Sequence, residues 1–287
     1  MRVVPPNSQG FTLLEILSAI ERLGLDPDPL GSDAGALALV AAAASRDRDR
    51  HLADADAMVM HLSTLLDGGH IAAICDEVRG STPPRTGDAA AGRPPGSGDT
   101  IALVVSDRRG WAISLIQSLY DDFGSGILEP STGIVAQNRG ACFSIDPHHP
   151  NAMAPGKRPA HTLMPVLGHR AGQLAAVSGS MGGHSQPQIN AMSILRAFDL
   201  GMPPEEALEA PRWVVPWTEP SDADRSVIAE GDTPAATLAS LAEAGFRVHV
   251  GDDHDSAVGH AHLIVRDSRG VFEVATDPRA DGGALAS

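Results

Sequence analysis

The sequence predicts an α+β protein in which helices pack on a mostly antiparallel sheet. Helical periodicity dominates residues 1–79, and short β-rich runs separated by turn signals continue from Thr100 towards the carboxyl terminus. With 287 residues and 43% hydrophobic content, the chain can fill a substantial core. Helices packed on a sheet are a stable way to bury the apolar faces of both.

The amino-terminal region predicts helices. In FTLLEILSAIERLG the leucines and isoleucines recur at helical spacing, and Gly24 follows as a candidate C-cap. Residues 35–78 continue with alanine-rich helix formers and contain the charge run SRDRDR. We interpret that run as the solvated end of a helix.

Residues 80–99, GSTPPRTGDAAAGRPPGSGD, differ sharply in composition from both neighbouring regions. Proline, glycine, serine and a few charges bury too little apolar area to offset the entropy of an ordered chain. The tract therefore predicts a flexible linker that ends at Thr100.

From Thr100 onward the pattern predicts strands and three helices. The predicted strands are TIALVVSD, WAISLIQSL, TGIVAQN, HTLMPVLGHR, GQLAAVSGS, SVIAE, FRVHV, AHLIVRD and VFEVATD, and the helices are SQPQINAMSILRAFDLG, PPEEALEAPRW and TPAATLASLAEAG.

Charge and composition exclude several classes of partner. A formal net charge of -15 disfavours nucleic acid, because phosphates would be repelled. There is no apolar run of membrane-spanning length and no charged-then-apolar leader, so we expect no membrane and a cytoplasmic location. Cys75 and Cys142 are far apart without metal-type spacing, so neither a disulfide nor a zinc site is predicted and both are interpreted as buried hydrophobes.

Thr100 is a candidate nucleophile because it begins a strand directly after the linker. An N-terminal threonine can use its own α-amine, with a pKa around 7.7, as the base for its hydroxyl. A flexible segment upstream could be moved aside after cleavage while the strand holds the threonine still. The alternative from the residue alone is an ordinary β-forming threonine.

A second candidate element is GSMGGHSQPQ, residues 179–188, between an apolar strand and a helix. Its glycines allow backbone N–H groups to approach a substrate oxygen, and the helix N-terminus favours developing negative charge. The alternatives are an ordinary glycine turn or, less well matched, the nucleophile elbow of a serine hydrolase at Ser180.

Two histidine-rich stretches raise the alternative of a metal hydrolase. They are GDDHDSAVGHAH at 251–262 and DPHHP at 146–150. Neither has the helical histidine pair of a metalloprotease, although His260 and His262 would share a strand face. We interpret them as solvated loops and predict no metal and no cofactor.

Ordered motifs across the chain resemble the γ-glutamyltranspeptidase family of N-terminal-nucleophile hydrolases. They are PPNSQGFTLLEIL, ASRDRDRHLAD, FGSGI, QNRGACFS, APGKRPAHTLMP and TDPRADG, together with the Thr100 strand and the GSMGG turn. The resemblance implies an αββα sandwich and a precursor that cleaves itself between Asp99 and Thr100. It also implies that Thr100 forms an acyl-enzyme on a small-molecule amide, that Gly182 and Gly183 provide the oxyanion hole, and that Ser118 supports the nucleophile.

The same comparison with the family's pattern shows departures around the substrate. Cys142 stands where transpeptidases have an acidic residue for the glutamyl ammonium, His161 and Thr162 replace a Ser-Ser pair, and Tyr120 replaces an asparagine. An ammonium buried without its counter-charge is unfavourable, so glutathione is a poor substrate candidate. The pattern looks more like the family's amidohydrolase branch, of the oxamate amidohydrolase type, with His161 or Arg139 facing a substrate carboxylate.

The resemblance also implies a division of the chain. Residues 1–79 would be a helical remnant of the large subunit, 80–99 the linker ending at the cleavage site, and 100–287 the catalytic small subunit. Family precursors are longer before PPNSQG, so we expect an incomplete sandwich with an open sheet edge. That leaves three possibilities: an active self-processing amidohydrolase or acyltransferase, an inactive or split-gene subunit that needs a partner polypeptide, and a subunit that self-associates through the open edge.

Overall fold

The computed structural model describes residues 1–81, 100–216, 225–267 and 269–286. Its helices are α1 (Gly10–Leu23), α2 (Ala34–His51), α3 (Leu62–Leu65), α4 (Gly68–Gly80), α5 (Gln186–Phe198), α6 (Pro204–Glu209) and α7 (Ala235–Glu243). Its strands are β1 (Arg2–Val3), β2 (Thr100–Ser106), β3 (Ala112–Ser118), β4 (Leu128–Glu129), β5 (Ile134–Val135), β6 (Val166–Arg170), β7 (Gln173–Met181), β8 (Trp213–Val214), β9 (Ser226–Ala229), β10 (Arg247–Val250), β11 (His260–Arg266) and β12 (Phe272–Thr276).

The central layer is a five-stranded antiparallel sheet in the order β1-β6-β7-β11-β12. Helix α5 packs against β7 and β11, and α1 packs against α5. The largest apolar cluster contains residues of α1, α2, α4, α5 and α7, so the helical first part and the β-rich part share one core. A smaller sheet, β10-β9-β8, pairs β9 and β10 in parallel.

The hairpin β2–β3 forms a second sheet layer on the other side of β7 and β11. Its inward residues alternate with outward ones, as a strand with one buried face requires. A Cβ placed on Gly179 of β7 would lie 3.2 Å from Ser114 Oγ and 3.4 Å from Ala102 Cβ. The absence of a side chain at Gly179 therefore lets the two sheets approach closely.

The outward face of the hairpin is apolar and exposed. Ile101, Leu103, Ile113 and Leu115 are 45–62% exposed, although all four are strongly apolar. In the described ranges, one helical layer and two sheet layers are stacked, and this face is the outermost. The predicted α+β class is confirmed.

Most predicted elements lie where the sequence placed them, and Gly24 adopts the left-handed conformation of a C-cap after α1. One predicted strand begins later than expected, because β6 starts at Val166 while His161 makes only an isolated bridge with Ser8. The short strands β1, β4 and β8 were not predicted, since two residues carry too little periodicity. The linker 80–99 lies outside the described residues from 82 onward, and the division into subunits stays a prediction.

The interpretation of SRDRDR as solvated is wrong for two of its charges. Asp47 is 7% exposed and Arg48 is 2% exposed, because the helix turns them towards the core. Arg48 Nη1 donates to Gln9 Oε1 (3.1 Å) and to the carbonyl oxygen of His184 (3.0 Å), and its Nε donates to Asp49. Hydrogen bonds to specific partners thus offset the cost of burying the guanidinium. Among the described residues, no helix is long and apolar enough to cross a membrane.

A buried network of charges joins the carboxyl-terminal strands to α6 and β8. Asp277 accepts from Arg212 Nη2 at 2.8 Å and from Arg279 Nη1 at 2.9 Å, and Arg279 Nε donates to Glu230 at 2.6 Å. Burial alone would raise the pKa of Asp277, but the two guanidinium groups hold that pKa below its ordinary value. The two carboxylates pair with these two guanidinium groups, and neighbouring Arg196 donates to backbone carbonyl oxygens, so we interpret the network as structural.

We predict that Asp277→Asn lowers the free energy of unfolding by about 3–5 kcal/mol at pH 7, because buried Arg212 loses its counter-charge and buried Arg279 keeps only Glu230. The wild-type stabilisation is complete above the unfolded pKa of about 3.9 and disappears as the pH falls through the lower folded pKa. Urea unfolding between pH 2 and 7 measures both effects. The exposed strand substitution Glu273→Gln is the matched control and should stay within about 0.5 kcal/mol of wild type. An equal loss in both variants would contradict the assignment.

Candidate active site

Thr100 is buried at the first position of β2 and is paired with Ser118 at the last position of β3. Thr100 Oγ1 donates to Ser118 Oγ at 2.9 Å, and Ser118 Oγ also accepts the backbone N–H of Tyr120 at 3.0 Å. The antiparallel register places both hydroxyls on the hairpin face that is turned towards β7. Thr100 Oγ1 is therefore held at the edge of a rigid hairpin by a second hydroxyl, an arrangement suited to a nucleophile.

The glycine turn follows β7 and leads into α5. Gly182 has φ +143° and Gly183 has φ +53°, both in the region that favours glycine. A Cβ on Gly182 would collide with Ile189 Cδ1, whereas a Cβ on Gly183 would meet no atom within 4 Å. The turn leads into the N-terminus of α5, where backbone N–H groups lack intrahelical acceptors, and such groups are the donors of the predicted oxyanion hole.

Two residues outside the predicted set position this turn. Gln9 is fully buried, and its Nε2 donates to the carbonyl oxygens of Gly183 (2.9 Å) and Thr162 (2.8 Å). Arg48 holds Gln9 Oε1 and the carbonyl oxygen of His184. The sequence contained one signal for Gln9, its place in the PPNSQG motif. Arg48 lies in the charge run SRDRDR, which is typical of a solvated helix end, so the sequence contained no indication that this arginine is buried.

A cluster of side chains, the Arg139 cluster, surrounds the guanidinium of Arg139, which is 8% exposed. Its guanidinium carbon lies 4.0 Å from the centre of the Tyr120 ring, and Nη1 donates to Thr162 Oγ1 (3.2 Å) and Cys142 Sγ (3.6 Å). Tyr120 has φ +83°, an unusual conformation for a bulky residue and one found at functional sites. Burial and the neighbouring Cys142 raise the pKa of Tyr120, so the phenol stays neutral.

His161 lies beside the Arg139 cluster and is uncharged at neutral pH. Burial and the positive charge of Arg139 lower the pKa of His161 to about 4. Its Nδ1 accepts the backbone N–H of Leu163 at 3.2 Å, and its backbone pairs with Asn7 and Gln9. Of the two candidates for a substrate carboxylate, Arg139 therefore carries the positive charge and His161 does not.

The structure joins most of the predicted site residues through a continuous path of contacts. The path runs from Thr100 through Ser118, Tyr120, Arg139, Thr162 and Gln9 to Gly183, with Cys142 bound to Arg139. His161 adjoins this path through its backbone only, and Asp99 lies outside the described residues. These positions agree with the predicted roles, which remain predictions.

The two histidine-rich stretches do not come together as a metal site in the described part of the chain. His149 Nε2 lies 2.8 Å from the backbone carbonyl oxygen of Asp49, and His262 Nδ1 lies 3.0 Å from Thr276 Oγ1. Burial lowers the pKa of His260 and of His262. The described residues that do converge with metal-ligand spacing are Glu15, Asp47 and His70, in the helical part.

Comparisons with known proteins agree with this geometry. The structure superposes on that of a cephalosporin acylase from Bacillus halodurans with a TM-score of 0.83 and 32% identity, covering 98% of this chain and 50% of that one. The layered arrangement of helices and sheets is the fold of the N-terminal-nucleophile hydrolases.

The family model for γ-glutamyltranspeptidase matches residues 1–287. The chain is 47% identical over 191 residues to an oxamate amidohydrolase proenzyme of Klebsiella pneumoniae, covering 66% of this chain and 36% of the relative. It is 38% identical over 285 residues to a glutathione hydrolase-like YwrD proenzyme of Bacillus subtilis, covering 98% of this chain and 53% of the relative. The chain belongs to the γ-glutamyltranspeptidase family. It spans about a third to a half of the length of these curated relatives.

The two glycines of the turn provide a matched test of its geometry. We predict that Gly182→Ala destabilises the protein more than Gly183→Ala, because only the first substitution adds a collision with Ile189 to the backbone strain. Gly183→Ala should cost about 1–2 kcal/mol from its positive φ alone. Thermal unfolding of both variants measures the difference. Equal destabilisation, or a milder effect at Gly182, would contradict the turn geometry described here.

Proposed function

We propose that this chain is a self-processing amidohydrolase of the γ-glutamyltranspeptidase family with Thr100 as its nucleophile. The observation that carries the proposal is the hydrogen bond from Thr100 Oγ1 to Ser118 Oγ at the start of a buried strand. The same path of contacts leads to the glycine turn, whose N–H groups would stabilise a tetrahedral oxyanion. Relatives of this chain are proenzymes by name, which supports processing as the first step.

Processing would begin with attack of the Thr100 hydroxyl oxygen on the carbonyl carbon of Asp99. The C–N bond between them breaks as the ester forms, and the proton lost by the hydroxyl accounts for one hydrogen of the new α-amine. Water then hydrolyses the ester, leaving the Asp99 carboxylate and a free Thr100. Without this cut Thr100 has no amine and therefore no base of its own.

In catalysis the free α-amine would take the proton of the Thr100 hydroxyl as its oxygen attacks a substrate amide. The C–N bond of the substrate breaks, the amine leaves with that proton, and an acyl ester remains on Thr100. Water then releases the acid, or an acceptor amine takes the acyl group. Hydrolysis and transfer share every residue named here, so the acceptor decides between them.

We further propose that the substrate carries a carboxylate close to the scissile amide. Arg139 is buried, and the contacts of its guanidinium in the described structure are a hydroxyl, a thiol and an aromatic ring rather than a carboxylate. A buried guanidinium in such surroundings favours an anionic ligand, which it can bind through two parallel hydrogen bonds. Oxamate, named in the Klebsiella relative, belongs to this class of monoamides of small diacids.

A second candidate function is that of a catalytic subunit that requires a further polypeptide segment. The exposed apolar face of the hairpin, defined by Ile101, Leu103, Ile113 and Leu115, favours it, because such a contiguous patch is typical of an interface. The occupant we propose is a polypeptide equivalent to the part of the relatives that this chain does not match.

We predict that the purified chain yields two fragments, residues 1–99 and 100–287, and that Thr100→Ala stays intact. Thr100→Ser should retain processing, because it keeps the hydroxyl and the amine. Denaturing gels and amino-terminal sequencing measure the cut. Ser106→Ala, which removes a hydroxyl from the other end of the same strand face, is the control and should be processed normally. Cleavage of Thr100→Ala at the same bond would contradict the proposal.

We predict that Arg139→Met lowers kcat/KM for a monoamide with a carboxylate by about 10–100-fold, the value of a charged hydrogen bond. For an uncharged amide of similar size, Arg139→Met should lower kcat/KM much less, because that substrate has no carboxylate for the guanidinium to bind. Arg139→Lys should recover part of the loss, and the exposed substitution Arg109→Met should have no effect. Equal losses for charged and uncharged substrates would contradict a carboxylate-binding role.

For the second candidate, we predict that the chain co-purifies with the unmatched part of the Bacillus subtilis relative when the two are co-expressed. Leu103→Lys together with Ile113→Lys should abolish this, because charges would be buried in the interface. Val59→Lys is the matched control, because Val59 is an exposed apolar residue outside the hairpin, and this variant should co-purify as wild type does. Retention by the double variant, or failure of wild type to co-purify, would contradict association through this face.

A further inference from the structure

Three helices bring a set of metal-ligating side chains together in the helical part of the fold. Glu15 lies on α1, Asp47 on α2 and His70 near the start of α4. Their ligand atoms all lie within 4.8 Å of one another. We propose that these three residues bind a divalent transition-metal ion, with zinc as the best match, at a site that shares no residue with the predicted catalytic site around Thr100.

The distances within the set suit a small metal ion. His70 Nε2 lies 2.9 Å from Asp47 Oδ2 and 4.0 Å from Glu15 Oε1. In a tetrahedral zinc site with bonds of about 2.0–2.1 Å, ligand atoms stand about 3.3 Å from one another. Small side-chain adjustments would therefore place the three atoms around one ion.

The surroundings of the Glu15 carboxyl group indicate that the site binds a ligand. Glu15 is 0% exposed, and neither carboxylate oxygen has a hydrogen-bond partner. Both oxygens are thus buried without the donors that a buried carboxylate normally has, and Oε1 is directed towards His70.

The electrostatics of the pair explain why a cation fits. Glu15 and Asp47 bring two buried carboxyl groups to one place, and a divalent ion would balance the two negative charges of their ionised forms. The competing arrangement is a neutral Glu15 that shares a proton with Asp47 and binds no metal.

The donor types favour zinc over calcium or magnesium. One imidazole nitrogen and two carboxylate oxygens form a mixed set, whereas calcium and magnesium prefer oxygen alone. His51 Nε2 lies 3.6 Å from the other oxygen of Asp47, where it can orient that carboxylate. The His70 side chain is 17% exposed, so a water molecule can reach the fourth position from that side.

The site has a structural connection to the catalytic region but shares no residue with it. Asp47 precedes Arg48, whose guanidinium holds Gln9 and the carbonyl oxygen of His184. An ion on α1, α2 and α4 would join three helices of the main core. We expect the bound ion to stabilise the fold and to take no part in cleavage of the substrate amide.

The test uses the full chain without an affinity tag, since added histidines would bind zinc. After removal of metal with EDTA, calorimetric titration with zinc chloride should show about one equivalent bound. Zinc at a hundred-fold excess over its dissociation constant should raise Tm by roughly 5–10 °C. The metal content of the untreated protein should also show zinc by mass spectrometry.

Glu15→Gln and His70→Asn should each weaken zinc binding by at least about tenfold. The glutamine variant should fold, because it replaces a buried carboxyl group with an uncharged amide of the same size, and its metal-free Tm should equal or exceed that of wild type. The controls Glu21→Gln on the same helix and His61→Asn, both exposed, should bind zinc as wild type does.

Several outcomes would overturn the site. Absence of zinc from both the purified and the titrated wild type would establish the shared-proton arrangement instead. Wild-type affinity in Glu15→Gln and His70→Asn would place zinc elsewhere in the chain. Equal losses in the exposed controls would indicate nonspecific binding.

Discussion

The side chain of Gln9 is the contact on which the site depends. Its amide nitrogen binds the carbonyl oxygens of Thr162 and Gly183, and its oxygen accepts from Arg48. Gln9 therefore connects the start of α1 with Arg48 of α2, with Thr162 beside Arg139, and with the glycine turn. Because Gln9 is fully buried, no water competes for these bonds, and loss of one would leave other polar groups unsatisfied. The helical first part of the chain thus holds the turn in place as well as covering the sheet.

Three buried groups of charges differ in their balance, and the balance indicates what each can do. Around Asp277, carboxylates and guanidinium groups neutralise one another, and the network is closed. At Arg139 the positive charge is in excess, which suits an anionic substrate. At Glu15 and Asp47 two buried carboxyl groups converge, which suits a cation. The same physical rule, that a buried charge requires a counter-charge, thus explains one structural site and supports two proposed ligand sites.

The hairpin that carries Thr100 has two faces with different environments. Its inner face packs on β7 and holds the nucleophile against Ser118, while its outer face exposes isoleucine and leucine side chains. Inner packing alone fixes the position of Thr100 Oγ1, because the antiparallel register pairs it with Ser118. The outer face therefore concerns association rather than chemistry, and the two proposed functions need not exclude each other.

The sequence by itself determined the α+β class, most strands and helices, and the position of Thr100 at the start of a strand. It could do so because periodicity reports which face of an element is apolar, and turn residues mark where elements end. It also pointed to Ser118, Arg139 and the glycine turn through the family's motifs. Only the tertiary structure decided which distant residues meet: that Arg48 and Asp47 turn inward from a charge run, that Arg139 rather than His161 carries charge, and that Glu15 faces His70. The contacts of Gln9 with Arg48 and Gly183 join residues that are 39 and 174 positions apart in the sequence. A local sequence pattern predicts neither such distant contacts nor the burial of a particular side chain.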